Sequence, residues 1–162
     1  MTTLTKLKKL SKNRLTKFLT EQGFEVVNPL MFFRKGPEDI YQVLLFELSY
    51  SQNLKVSALC HTKEMDDLIP CSFPESVSVM VGGEIEPGEP IAYENGYIWD
   101  IETETNAISC LEKIQECIIE SAFPFFEEIS TRRKMVDFIY PSMLVGDYKV
   151  VAEKILDWNQ DD

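Results

Sequence analysis

The sequence predicts a single α+β domain: an N-terminal helix, an antiparallel meander sheet, and C-terminal helices packed on one face. Three observations predict it. Apolar residues recur at helical spacing near both ends of the chain and at alternate positions between them. Pro, Gly and Asn punctuate the alternating runs where turns are needed. The 162 residues, 44% apolar with only 7 Gly and 8 Pro, can bury one substantial core, and no repeat, low-complexity tract or linker divides them.

At the start, Leu4, Leu7, Leu10, Arg14, Leu15, Phe18 and Leu19 fall at helical intervals on one side of a helix over residues 5–22, with lysines on the other, and Gly23 stands where a glycine ends it. Strands follow at 24–27, 30–34 and 40–50, separated by turns at Asn28-Pro29 and Gly36-Pro37. In the third, Leu44, Phe46, Leu48 and Tyr50 share a face opposite Glu47 and Ser49, the pattern of a half-buried strand. Leu54, Val56, Ala58 and Cys60 alternate with Lys55, Ser57 and His61 in a fourth strand, joined to the third as a hairpin. A fifth strand spans 77–81 and is expected to stop at Gly82-Gly83; a short sixth covers 97–101. From Thr105 the period becomes helical, with Ala107, Cys110, Leu111, Ile114, Cys117, Ile118 and Ala122 as one apolar stripe expected to end at Phe123-Pro124. Ser130 or Thr131 caps a helix over 132–139, and Asp147 caps a last one to about Trp158.

Charge is polarised along the chain. The total is −11, from 27 acids and 16 bases, which disfavours a general grip on nucleic-acid phosphates. Residues 1–36 nevertheless hold eight bases against Glu21 and Glu25, whereas residues 75–128 hold thirteen acids against Lys113 alone. The two blocks either attract each other across the fold or leave an acidic face that steers a basic partner. No window has the 18 or so apolar residues of a membrane span, and the N-terminal lysines lead into no signal-peptide core, so a cytoplasmic protein with no membrane partner is expected. Cys60, Cys71, Cys110 and Cys117 are then expected as reduced thiols.

No catalytic motif stands out, and neither a cofactor nor a metal is expected. Cys60-His61 with Cys71 matches no zinc spacing, and on a strand Cys60 and His61 point to opposite faces. A nucleophile pair from Cys71 and His61 lacks an elbow and an orienting acid. Gly82-Gly83 is followed by no Lys or Ser/Thr of a phosphate loop. The strongest enzymatic constellation is Asp100, Glu102 and Glu104, three carboxylates at alternate positions suited to a hard divalent cation; a metal-dependent hydrolase is the alternative function they define. Glu112, Glu116 and Glu120 form a like-charge row at i,i+4 spacing with no local base expected to compensate it. Together with Glu84, Glu86, Glu89 and Glu94, and with Tyr93 as an aromatic contact, the row is the candidate partner-binding surface. Tyr93, Tyr97 and Trp99 share a parity that points to a core face, although Tyr and Trp are also the usual anchors of a protein interface.

Three short features, Gly23-Phe24 after an amphipathic helix, Phe33-Arg34 on the next strand and Phe123-Pro124-Phe125-Phe126-Glu127 beyond a long helix, resemble an uncharacterised bacterial family of small domains of unknown function. The resemblance spans residues 10–140 and implies a fold, not an activity. In its acidity and organisation the chain is also similar to bacterial immunity proteins, which neutralise a cognate toxin by binding it. The functional expectation is therefore a non-enzymatic immunity-type inhibitor that captures a basic, nuclease-like toxin, with no nucleic-acid partner. An adaptor that binds membrane or nucleic acid through the basic face of the first helix is a further alternative.

Overall fold

A computed structural model describes residues 14–28, 31–48, 53–67, 73–74, 81–91, 97–139 and 147–158. Among these residues six antiparallel strands form one sheet: β1 (Glu25–Asn28), β2 (Met31–Lys35), β3 (Tyr41–Leu48), β4 (Asn53–His61), β5 (Val81–Glu84) and β6 (Trp99–Asp100). The first five lie side by side in chain order, as a meander. The β3–β4 hairpin is the longest pairing, in register from Tyr41↔His61 to Leu48↔Leu54, so that on the core side Leu44 faces Ala58, Phe46 faces Val56 and Leu48 faces Leu54, while Cys60 faces Gln42. Residues 5–13 of the expected first helix, residues 77–80 of the expected fifth strand, and Tyr93 and Glu94 lie outside the described residues.

Two features of the sheet depart from expectation. Gly82-Gly83 does not end β5 but lies within it, opposite Leu59 and Ala58. A Cβ on Gly82 would collide with the Ala58 carbonyl, so glycine is what lets β5 approach β4 closely enough to pair. The sixth strand does not extend the meander beyond β5. It pairs with Asn53 and Leu54 at the opening of β4, on the edge that β5 also uses, because β3 occupies the other.

The sheet's core face presents Phe32, Leu44, Phe46, Leu54, Val56, Ala58 and Cys60 to the helices. Its opposite face is less exposed than strand alternation suggests. Phe33, Tyr41 and His61 surround Phe73 with ring separations of 5.5, 5.0 and 4.5 Å, and Met31 and Val43 on the same side are buried. Cys60 and His61 do point to opposite faces, into these two separate clusters.

The described part of the first helix, α1 (Leu15–Glu21), ends as its sequence dictates. Gly23 adopts φ +91°, its N–H bonds the Thr20 carbonyl, and the Phe24 N–H reaches back to Leu19. This doubly bonded terminus leaves Leu19 and Phe24 buried together. The long helix α2 (Glu104–Cys117) starts at Thr103, whose hydroxyl accepts the Asn106 N–H at 3.1 Å. It is not terminated by Phe123-Pro124. The backbone stays right-handed through a π turn (Ile118–Ala122), in which the Phe123 N–H bonds the Ile118 carbonyl, and continues as α3 (Phe123–Glu128). Pro124 has no N–H and would crowd the carbonyl four residues back in an unbroken α-helix; one wide turn places it at the start of a new helix, where no N–H is needed. Thr131 then caps α4 (Arg132–Phe138) by accepting from Lys134 N at 3.2 Å, and α5 (Asp147–Leu156) is the last of the described helices. All five described helices contribute to the core on one face of the sheet, with Ile114, Ile118, Phe126, Met135 and Ile155 fully enclosed.

Candidate functional site

The orientation of α2 determines which side chains reach solvent. Its buried stripe of Ala107, Leu111, Ile114, Cys117 and Ile118 turns Glu112, Glu116 and Glu120 outward, where all three are exposed. The row is compensated, contrary to expectation. Arg14 pairs with Glu112, linking the basic N-terminal block to the acidic helix, and Lys113 pairs with Glu116 at 3.1 Å. That hydrogen bond to Glu116, with its charge, holds the Lys113 ammonium above the usual lysine range. Both pairs are half or more exposed, where such contacts contribute only about 0–1 kcal/mol, so a competing cation displaces them at little cost. Glu120 forms no ion pair among the described residues.

The acidic loop is tied to this helix. After β5, Ile85 is fully buried and its N–H bonds the Val56 carbonyl at 2.7 Å, so the loop leaves the sheet from a fixed point. A turn at Gly88 (φ +77°) brings the Glu89 N–H to the Glu86 carbonyl, and the Ser121 hydroxyl donates to the Glu89 carbonyl at 3.1 Å. Glu89, which is exposed, thereby sits against the π turn beyond Glu120. Glu86 is half-buried in the same loop.

Glu84 is not part of this surface. In register with Ser57, it lies on the side of the sheet away from the helices, and its carboxylate is 3.5 Å from Lys55 Nζ. Tyr93 and Glu94 lie outside the described residues. Tyr97 and Trp99 pack edge-to-face at 4.9 Å, with Trp99 in the core as its parity requires.

One residue of this face carries no signal in the acidic pattern. Ile119 is 48% exposed and lines a groove of about 460 Å³ with Arg14, Glu112, Gln115 and Glu116. An apolar side chain framed by carboxylates is what a protein-binding surface offers: a desolvating contact inside a charged rim. The signal available in the sequence was that Ile108 and Ile119 fall off the buried stripe of α2, and Ile108 is likewise exposed.

The alternative constellation is not assembled on one strand face. Strand β6 ends at Asp100, whose Oδ1 accepts the Glu102 N–H at 3.0 Å in a bend, and Glu104 already belongs to α2. No group of three or more His, Cys, Asp or Glu side chains is gathered as metal ligands among the described residues. Cys60, Cys110 and Cys117 are free thiols, and burial pushes the Cys60 thiol up to about 12, which removes it as a nucleophile at neutral pH. Among the described residues no helix is long and apolar enough to cross a membrane. Comparison with protein-family models, curated proteins and solved structures returned no match.

Proposed function

We propose that the chain is a non-enzymatic binding module whose acidic face captures a basic protein, in the manner of an immunity protein that neutralises a nuclease-like toxin. The observation that carries this reading is the Ser121–Glu89 hydrogen bond, which joins the acidic loop to the end of the Glu112, Glu116, Glu120 row. Two acidic segments separated by a strand and half a helix thus present one surface, with Ile119 exposed within it. Carboxylates at such a surface attract Arg and Lys of a partner over long range and then form charge-assisted hydrogen bonds, while Ile119 supplies the contact that excludes water.

The test is capture from a lysate of the native host by immobilised full-length chain, beside a variant carrying Glu89→Lys, Glu116→Lys and Glu120→Lys. One basic protein retained by the wild type and lost by the variant, with an on-rate that falls steeply as salt is added, is the expected result. Equal retention by both, or retention insensitive to salt, overturns the reading.

A further inference from the structure

A second site lies away from the acidic face, where three distant segments converge on one buried cation. Arg132, the first residue of α4, has only 5% of its side chain exposed. Its Nε donates to the Glu38 carbonyl at 2.9 Å; its Nη1 forms an ion pair with Glu64 Oε1 at 2.9 Å and donates to the Ile155 carbonyl at 3.3 Å; and the Trp158 ring lies 4.9 Å from the guanidinium carbon. These contacts engage Nε and Nη1. Among the described residues no acceptor meets Nη2, and Arg132 lines a cleft of about 480 Å³, within the size range of small-molecule sites.

The cleft has the opposite electrical character to the chain as a whole. The protein carries a net charge of −11, yet the cleft is lined by four cations, Lys35, Lys63, Arg132 and Lys154, against the three carboxylates Asp39, Glu64 and Asp157. Tyr41 and Trp158 add aromatic surface. One rim is held in a backbone conformation that L-residues avoid: Glu38 and Asp39 have φ of +55° and +56° in succession. That turn directs the Glu38 carbonyl onto Arg132 and lets Asp39 hold Lys35 at 3.1 Å. A strained rim fixed by a buried arginine is a preorganised arrangement, and strain of this kind concentrates at binding sites.

We infer that this cleft binds a small organic anion, a carboxylate or phosphate monoester on a flat aromatic body. The oxyanion meets the Nη2 donors of Arg132 with Lys63 at its side, and the ring lies along Trp158. Guanidinium matches the planar geometry of an oxyanion, and the net positive lining disfavours a cationic ligand of the same shape.

The probes are benzoate and phenyl phosphate, with benzylamine as the cation of like size, titrated into the full chain by calorimetry. Saturable one-to-one binding of either anion, weakened about tenfold or more by Lys63→Glu at unchanged melting temperature, is the expected result. The stronger of the two anions identifies the head group. Lys63 is exposed, so this variant keeps the fold where substitution of Arg132 would not. Absence of binding for both anions at millimolar concentration, equal binding of benzylamine, or binding unaffected by Lys63→Glu overturns the proposal.

Discussion

The Arg34 guanidinium lies 4.5 Å from the centroid of the Phe24 ring, and Phe123 presents a second ring at 5.4 Å. The same side chain donates to Gln42 Oε1 at 2.6 Å and to the Gln22 carbonyl at 2.7 Å. It thus ties the end of α1, the sheet and the α2–α3 junction together. Phe24, Arg34 and Phe123 come from the three short sequence features Gly23-Phe24, Phe33-Arg34 and Phe123 to Glu127, which therefore meet as one packing unit.

Arg34→Ala removes two ring contacts and two hydrogen bonds and leaves the buried Gln42 amide without this donor; a loss of about 2–4 kcal/mol in urea unfolding is expected. Arg34→Lys should recover less than half, because an ammonium has no planar fork to serve both rings and both acceptors.

Ile114 is completely buried at the centre of α2, and Ile108 is exposed on the same helix. Ile114→Asp puts an unpaired carboxylate into the core and should cost more than about 4 kcal/mol, giving an unfolded or insoluble chain. Ile108→Asp should stay within about 0.5 kcal/mol of wild type. Circular-dichroism melts of the two variants check the pair.

Gly82→Ala forces a methyl group against the Ala58 carbonyl and should destabilise the β4–β5 pairing by about 2 kcal/mol or more. Gly88→Ala meets nothing within 4 Å but must hold φ +77°, and should cost only about 1 kcal/mol. Thermal melts that rank the two in the reverse order would contradict the strand placement of Gly82.

Burial raises the Cys60 thiol from 9.0 to about 12. The unfolded chain therefore releases this proton near pH 9 while the folded chain retains it, so the folded state binds more protons between those values. Stability should be unaffected by Cys60 below pH 9 and decline above it, by at most about 1.4 kcal/mol per pH unit, until the folded thiol also ionises. Unfolding measured from pH 8 to pH 11 should show a shallower decline for Cys60→Ala than for wild type, and native Cys60 should resist alkylation at pH 8.

Local patterns in the sequence carried most of the fold. The alternation of Leu44, Phe46, Val56 and Ala58 and the cap at Thr131 depend on neighbours a few residues away, and the structure has them as read. What was not legible depends on partners far along the chain. Gly82-Gly83 reads as a stop until the Ala58 backbone is placed beside it. Pro124 reads as a terminus because nothing local announces that a π turn will absorb it. The pairing of Glu112 with Arg14 spans 98 positions, and Arg132, which looks like an ordinary surface cation at a helix start, is buried by segments 94 and 23 residues away. Of the candidate face, the helical row was readable from its spacing, but not the separation of Glu84 from it, which follows from strand register alone.

Strands β5 and β6 leave and rejoin the sheet at the same edge of β4, so everything between them begins and ends within one strand's length. Ile85 and Ile91 of this segment are themselves buried in the core, so it is the positions between those two, not the whole segment, that can be exchanged without changing any strand's register or the packing beneath. Between those two core contacts stand the half-buried Glu86 and the exposed Glu89. Under the proposed function, this places contact chemistry at positions where the stability of the core does not oppose a change.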